Sequence, residues 1–365
     1  MLGTRAGQSQ RLPGELKLTP LASQPPLIAD PPANRLALID AIKGLAAQLI
    51  VLHHLAFYGP MSDAALELAP GLIAWLYDYA RMAVQAFLVV GGFLAARWLA
   101  PEGVLLTRKP LRLLGRRYLA LVRPFIVALL LAIAAAAFAR SLITHEAIPE
   151  APGVMQFVAH ALLIHGVTGI ESLSAGVWYI AIDFQLFFLL LLLLTISRNR
   201  VGNWLLIAAL TIASLFYFNR QAELDNWGIY FFGAYGLGAF AHWSSRHRQA
   251  WLWVALLLVT AIAALMLEFR PRLAVAVAVA SLLAVSAHTH LLSWPRSRIL
   301  GWLGKISYSV FLMHFPVILV VAAVVHRLAP GEPLPNLFGM LLSWCLSLFV
   351  AAAFYHFVER PLRHR

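Results

Sequence analysis

Long apolar runs alternate with short polar connections along most of the chain. A helix needs about 20 apolar residues to cross a bilayer, because the hydrocarbon core is about 30 Å thick and an α-helix rises about 1.5 Å per residue. The pattern predicts an all-α integral membrane protein, a bundle of about ten transmembrane helices. The predicted segments are residues 36–57, 71–96, 118–139, 176–196, 202–218, 226–243, 250–267, 273–291, 304–326 and 336–358.

The residues before the first apolar run have a different composition. Residues 1–34 are polar and proline-rich and lack the apolar core of a signal peptide. We interpret them as a disordered cytoplasmic tail and residues 35–365 as one transmembrane domain.

The apolar stretch 153–169 is short and contains His160 and His165. Charge decides how it is interpreted. If it is not a span and the N-terminus is cytoplasmic, 21 Lys and Arg fall on the inner side and five on the outer side. The positive-inside rule demands such an asymmetry. We therefore predict that this stretch is not a span, that it is re-entrant or interfacial, and that both termini are cytoplasmic.

Composition supports a membrane protein. Hydrophobic residues make up 61% of the chain and charged residues 12%, whereas about a quarter of a soluble protein is charged. The net charge of +12 is explained by membrane topology, so nucleic acid is not an expected partner. The single cysteine, Cys345, cannot form an intramolecular disulfide, and no metal-binding spacing is present. We therefore predict no metal site.

Ionisable residues inside a bilayer are costly, so each is a candidate for function. The first segment holds Asp40, Lys43, His53 and His54. Lys43 and His54 share one helical face about 16 Å apart, and Asp40 can pair with Lys43. Lys43 could instead extend to the headgroups, and His53, which faces another direction, could bond a neighbouring helix.

Three further segments contain polar candidates. Asp183 lies in an apolar run with no nearby cation in sequence, so it must be protonated or paired across helices. His314 shares a face with Ser307 and could equally be a satisfied core histidine. Asp78 and Arg81 are predicted to form a structural ion pair.

A basic cluster precedes the third segment. Its members are Arg108, Lys109, Arg112, Arg116, Arg117 and Arg123. Arginine side chains suit phosphate oxygens, so the cluster could hold an anionic cosubstrate. Contact with anionic lipid is the alternative.

Several motifs, in this order, resemble the membrane acyltransferase 3 family. They are IDAIKGLAAQLIVLHH (39–54), AFLVVGGFL (86–94), RRYLALVRP (116–124), VWYIAIDFQLFF (177–188), GKISYSVFLMHFPV (304–317) and FYHFVERPL (354–362). The resemblance implies a bundle of about ten membrane helices in the bacterial inner membrane. It also implies transfer of an acyl group, often acetyl, from acyl-coenzyme A to a hydroxyl, commonly of a cell-surface glycan.

The resemblance also implies roles for individual residues. In the family's first motif, ten residues separate a basic residue from a histidine, and Lys43 and His54 occupy these two positions. A second motif has two arginines three residues apart; here Arg117 occupies one position and Ala120 the other. Asp183 and Phe184 stand where two adjacent glutamates are usual. Gln85 and Gly91 stand where aspartate and serine are usual.

We therefore expect His54 to act as general base and Asp183 to orient its imidazole or bind the acceptor. We expect Lys43, Arg116 and Arg117 to hold the anionic part of acyl-coenzyme A. We also expect His314, Trp178 and Gln85 to contact the substrate. Acyl-coenzyme A would be a donor substrate, with no bound cofactor, and the acceptor a glycan or a lipid-linked molecule.

Two alternatives remain at this point. A secondary transporter or flippase would explain the polar stripe and the basic entrance without chemistry, although paired, broken spans are not clear in the sequence. An inactive scaffold would explain the substituted motif positions.

Overall fold

The computed structural model describes residues 36–363, and these are helical with no β-strand. The all-α prediction is therefore confirmed for this part of the chain. The predicted cytoplasmic tail, residues 1–34, lies outside the described residues.

The described residues form fourteen α-helices. A 3₁₀ turn, Ala80–Ala83, joins α3 to α4, and a π-helical turn, Tyr355–Glu359, joins α13 to α14. The helices are α1 Ala37–Phe57, α2 Met61–Ala65, α3 Pro70–Tyr79, α4 Val84–Leu99, α5 Pro110–Leu142, α6 Val154–Ala161, α7 Trp178–Ile196, α8 Arg200–Phe216, α9 Gly228–Ser244, α10 Arg248–Leu267, α11 Pro271–Ser286, α12 Arg298–Leu328, α13 Pro333–Phe354 and α14 Arg360–Arg363.

Local sequence explains where several helices begin. Asn199 and Ser297 precede α8 and α12, and their side chains accept hydrogen bonds from the backbone N–H groups of Gly202 and Leu300 at 2.7 and 3.3 Å. Proline opens α3, α5, α11 and α13. The first turn of a helix tolerates proline because its backbone nitrogen needs no partner there.

Eight helical stretches among the described residues are long and apolar enough to cross a membrane, and the chain is a multi-pass membrane protein. They are Ala37–Phe57, Pro70–Leu99, Pro110–Leu142, Trp178–Ile196, Arg200–Arg220, Arg248–Leu267, Arg298–Leu328 and Pro333–Arg363. The other two predicted segments coincide with α9 and α11, which have 17 and 16 residues. All ten predicted segments are thus helical, while ten crossings remain a prediction.

Helices α1 and α12 approach each other closely through glycine. A Cβ atom on Gly304 would overlap the carbonyl oxygen of Asp40, and one on Gly44 would lie 2.9 Å from Cβ of Leu303. Small residues allow such backbone contact between membrane helices. The contact fixes the register of the two helices, which run parallel and bring His54 beside His314, ten residues beyond Gly304.

Residues 153–177, which we call the strap, connect α5 to α7 and contain α6. Helix α6 has eight residues, far fewer than a span requires, and this stretch is not among the candidate spans of the described residues. That it does not cross the membrane stays a prediction. The hydroxyl of Tyr118 donates to the carbonyl of Ala161 at 2.8 Å. Tyr118 lies about 36 Å along a straight helix from Leu142, where α5 ends. The strap therefore runs back into the bundle beside α5 rather than lying across its end.

One predicted ion pair is absent. Asp78 and Arg81 are both exposed and form no ion pair with each other, so that prediction is wrong. Asp78 belongs to the last turn of α3 and Arg81 to the 3₁₀ turn that follows it. The helical register that would have placed their side chains together is interrupted between them.

Candidate active site

Two buried histidines from different helices form the centre of the candidate site. Nδ1 of His54 on α1 lies 2.6 Å from Nε2 of His314 on α12. The exposed fractions of the two residues are 8% and 0%. Their rings are nearly parallel, at 10°, with centroids 4.9 Å apart. His314 is therefore no isolated core histidine: it is the hydrogen-bond partner of His54.

The hydrogen bonds assign the tautomer of both rings. Nδ1 of His314 lies 3.0 Å from the carbonyl of Val310, which can only accept, so this nitrogen carries a proton. In a neutral imidazole the other nitrogen, Nε2, then accepts from Nδ1–H of His54. Nε2 of His54 is left with a lone pair. The arrangement can therefore take a proton from a substrate hydroxyl placed next to that nitrogen.

Asp183 pairs with Arg117 rather than with His54. Its Oδ2 atom lies 2.5 Å from Nη2 of Arg117, which joins α7 to α5. The guanidinium also lies over the ring of Phe187, 5.5 Å from the centroid. Pairing across helices is what the sequence required of this carboxylate. The expected contact of Asp183 with the imidazole is taken instead by His314.

Lys43, another proposed donor-binding residue, lies toward the opposite end of α1 from His54. Nζ of Lys43 is 3.3 Å from Oδ1 of Asp40, so the predicted pair is confirmed. Glu359, which is fully buried, pairs with Arg363 at 2.5 Å, accepts from Ser309 and is close enough to Lys43 to interact electrostatically.

The cations available to an anionic ligand are therefore not all equal. Lys43 and Arg117 each hold a carboxylate of the protein. In contrast, Arg116 is half-buried and forms no ion pair with any described residue, and the same is true of its exposed neighbours Arg108, Lys109 and Arg112. Arg116 is the cation best placed to exchange water for phosphate oxygens.

Aromatic rings and one glycine surround His54. Tyr58 and Phe311 lie near the two histidines, at 5.5 Å from His54 and 6.2 Å from His314 between centroids. Gly176, in the strap, has a φ of +79°, and a Cβ atom there would lie 3.1 Å from Phe311 and 3.6 Å from Cε1 of His54. A residue with a side chain would be strained there and would press on the site.

Trp178, at the start of α7, packs against α9. Its ring stacks on Phe231 of α9, at 29° with centroids 5.7 Å apart. Its neighbour Tyr179 makes the edge contact with Phe311, at 5.3 Å.

Gln85 lies in a separate small cavity. The cavity has a volume of about 10 Å³ and is lined by Gln85 with residues of α8, α9 and α11, among them Ser214, Phe231 and Arg272. His54 is not part of that lining. Phe231, which lines this cavity, also stacks on the ring of Trp178.

Sequence reasoning missed several residues of the site. Tyr58 and Phe311 carry no polar signal that separates them from ordinary membrane aromatics. Gly176 could have been suspected because it immediately precedes the VWYIAIDF motif. Glu359 lies in the FYHFVERPL motif, and a carboxylate within a long apolar run was a usable signal.

No group of three or more His, Cys, Asp or Glu side chains within residues 36–363 is arranged to hold a metal ion. The histidine pair alone supplies two nitrogens, which already bond to each other.

Comparison with known proteins agrees with this geometry. The model of the acyltransferase 3 family, described as an acyltransferase domain, matches residues 36–356. A putative peptidoglycan O-acetyltransferase of Bacillus subtilis is 38% identical over 74 residues, which are 20% of this chain and 10% of that protein. No solved structure matches the chain significantly. The family match covers almost all of the described helices and includes both histidines, so the chain belongs to the acyltransferase 3 family.

Proposed function

We propose that this protein transfers an acyl group, acetyl in the first instance, from acyl-coenzyme A to a hydroxyl of a cell-surface glycan or a lipid-linked glycan precursor. The observation that carries the proposal is the His54–His314 pair, whose hydrogen bonds leave a lone pair on Nε2 of His54. The bacterial inner membrane is the proposed location.

The transfer step follows from the tautomer. Nε2 of His54 removes the proton of the acceptor hydroxyl, and the oxygen attacks the thioester carbonyl carbon. The C–S bond then breaks, the new ester forms, and the proton passes from His54 to the departing thiolate. While His54 is protonated, its Nδ1–H bond to His314 becomes charge-assisted and stronger. His314 therefore stabilises the charge that develops during the step.

The donor would approach from the Lys43 end. Arg116, with its basic neighbours, would bind the phosphates, while Lys43 and Arg117 add positive charge that their carboxylates only partly offset. Lys43 and His54 lie about 16 Å apart along α1. The long arm of coenzyme A joins its phosphates to the thioester and suits such a separation.

The acceptor class is supported by similarity. The Bacillus subtilis relative is described as acting on peptidoglycan, a glycan polymer. Trp178 offers an aromatic ring of the kind that packs on sugar rings, and we assign it to the acceptor side of the site. Gln85 is not assigned to the acceptor, because it lines a separate small cavity. Lipid surrounds the protein, and nucleic acid has no part in the proposed reaction.

The test is transfer of radiolabelled acetyl from acetyl-coenzyme A to membrane glycans and lipids. The wild type should label the glycan fraction, and His54→Ala should lower the rate by about 10²–10⁴-fold, the usual contribution of general-base catalysis. His326→Ala is the matched control, because His326 is a half-buried histidine of the same helix as His314. Equal labelling by the wild type and His54→Ala would refute the mechanism, and label found only in lipids that carry no glycan would refute the glycan acceptor.

A further inference from the structure

One fully buried histidine joins helix α6 of the strap to a later part of the strap. Nδ1–H of His160, on α6, donates to the carbonyl of Gln156 at 2.7 Å, and its Nε2 atom accepts from the backbone N–H of Leu173 at 3.1 Å. Both ring nitrogens are thus used, and the exposed fraction of His160 is 0%. This side chain links α6 to the segment that returns toward the site.

The returning segment ends on the catalytic imidazole. Leu173, Ser174 and Ala175 are all buried. Three residues after Leu173, Gly176 packs so closely that an added Cβ would lie 3.6 Å from Cε1 of His54. The position of the Leu173 amide therefore influences how tightly the strap covers His54.

The two flanks of the strap are fixed independently on α5. The hydroxyl of Tyr118 holds Ala161, and the adjacent residue, Arg117, holds Asp183 five residues into α7. Among the described residues, the side chain of His160, next to the first anchor, bonds α6 to Leu173 in the segment that leads to His54. A second tie, from Gln156 to the carbonyl of Glu171, is exposed.

We propose that His160 is a positioning residue that holds residues 173–176 of the strap against the imidazole of His54 and so keeps water from competing with the acceptor. The inference rests on the proposed function and adds a residue that favours transfer of the acyl group to the acceptor rather than to water. If the cover loosens, a water molecule takes the place of the acceptor hydroxyl. Its oxygen adds to the thioester carbonyl, the C–S bond breaks, and free acid and thiol are released.

The experiment compares three variants with the wild type in the full-length protein. His160→Ala removes both hydrogen bonds. His160→Gln keeps a donor and an acceptor at the end of a side chain of similar reach. His165→Phe is the control, because His165 stacks on His160 with centroids 4.1 Å apart and neither of its ring nitrogens forms a hydrogen bond with a described residue.

Two quantities are measured. One is the partition of labelled acetyl between glycan ester and free acetate, with acetyl-coenzyme A as donor. The other is hydrogen exchange of the backbone amides of residues 171–176. His160→Ala should shift the partition severalfold toward free acetate and speed exchange of the Leu173 amide by about tenfold, as expected for loss of one buried hydrogen bond. His160→Gln should restore most of both, and His165→Phe should match the wild type.

The outcomes separate this inference from the proposed function. An unchanged partition in His160→Ala, with the wild type active, would overturn the inference alone, as would unchanged exchange of residues 171–176. No transfer by the wild type would overturn the proposed function and the inference together. If His160→Ala does not fold, His160→Asn replaces it, because its polar side chain is too short to bridge Gln156 and Leu173.

Discussion

His314 orients the imidazole of His54 without adding a charge to the site. Nε2 of His314 accepts the Nδ1–H of His54, which is the position that a carboxylate occupies in many hydrolytic triads. An ionised carboxylate within a membrane bundle is costly unless it is paired. A neutral imidazole fixes the tautomer of His54 without that cost.

The shared role of the two histidines predicts non-additive kinetics. His314→Ala should lower the transfer rate less than His54→Ala, because the base itself remains and only its orientation is lost. The double variant should be no slower than His54→Ala, since residues that act as a unit do not contribute independently. Steady-state rates of the three variants test this. A double variant slower than His54→Ala by the full factor of His314→Ala would contradict it.

Also at the scale of single residues, the ion pair between Asp183 and Arg117 is predicted to stabilise the folded protein. Asp183→Asn and Arg117→Gln should each lower the free energy of unfolding, because each leaves the other group without its partner. Since the Arg117 side chain is 32% exposed, the coupling should be moderate, about 0.5–3 kcal/mol. A double-mutant cycle in detergent measures it. Additive effects would show that the pair contributes nothing.

Elements differ in how far sequence alone could describe them. The first apolar run, 36–57, became Ala37–Phe57, because the length of an apolar run is visible locally. The contact of His54 with His314 joins residues 260 positions apart, and no local pattern contains it. For Gln85, the apolar pattern predicts the segment that contains it but not the face of α4 on which it lies. Its separate cavity depends on packing against α8, α9 and α11.

The strap is predicted to loosen in acid. Burial lowers the pKa of His160, and burial with neighbouring His160 lowers the pKa of His165 to about 4. In the unfolded chain these groups have pKa values near 6.5. The folded strap therefore has its full stability above about pH 6.5 and loses it as the pH falls toward 4.

Hydrogen exchange of residues 153–177, corrected for the intrinsic effect of pH, checks this prediction between pH 7.5 and 4.5. Protection of the strap should fall over this interval more than protection of α1. His165→Phe should remove part of the fall, because phenylalanine has no proton to gain. Constant protection would contradict the prediction.

The contact between α1 and α12 gives a second prediction for elements. Gly304→Ala places a methyl group against the carbonyl of Asp40 and should destabilise the protein by about 1–3 kcal/mol, the usual cost of overpacking. Because this contact sets the register of His54 and His314, transfer should fall as well. Gly115→Ala is the control, since an added Cβ there meets no described atom within 4 Å. Thermal unfolding and transfer assays should separate the two variants.

For the whole molecule, the distribution of charge predicts its orientation. Arg108, Lys109 and Arg112 precede the bulk of α5, whereas the connection after Leu142 contains the acidic Glu146 and Glu150. The positive-inside rule then places the start of α5 in the cytoplasm and residues 143–153 on the outer side. An even number of crossings, such as the ten predicted, follows if both termini are cytoplasmic.

Membrane-impermeant thiol labelling checks this orientation. In a Cys345→Ser background, single cysteines would replace Glu146 and Lys109, both outside the candidate spans. The residue 146 position should react in intact cells, and the residue 109 position only after the membrane is opened. The reverse pattern would invert the topology.

Family membership bears on the rival functions of the whole molecule. A transporter was an alternative while only the polar stripe and the basic entrance were considered. The match of the acyltransferase family over residues 36–356 favours the proposed transfer reaction over transport. The departures at Lys43, Ala120, Gln85 and Phe184 remain the positions at which activity could differ from that of other members.

Helix α9 has a consequence for how the protein is assembled. All of its residues except Ile229 are buried, and its backbone approaches that of α4 so closely that a Cβ on Gly238 would overlap the carbonyl of Val89. In the finished fold such a helix is covered by protein rather than by lipid. During synthesis it leaves the ribosome after α4, α7 and α8 but before α10 and α11, which also cover it. Its packing is therefore completed by chain that has not yet been made when α9 emerges.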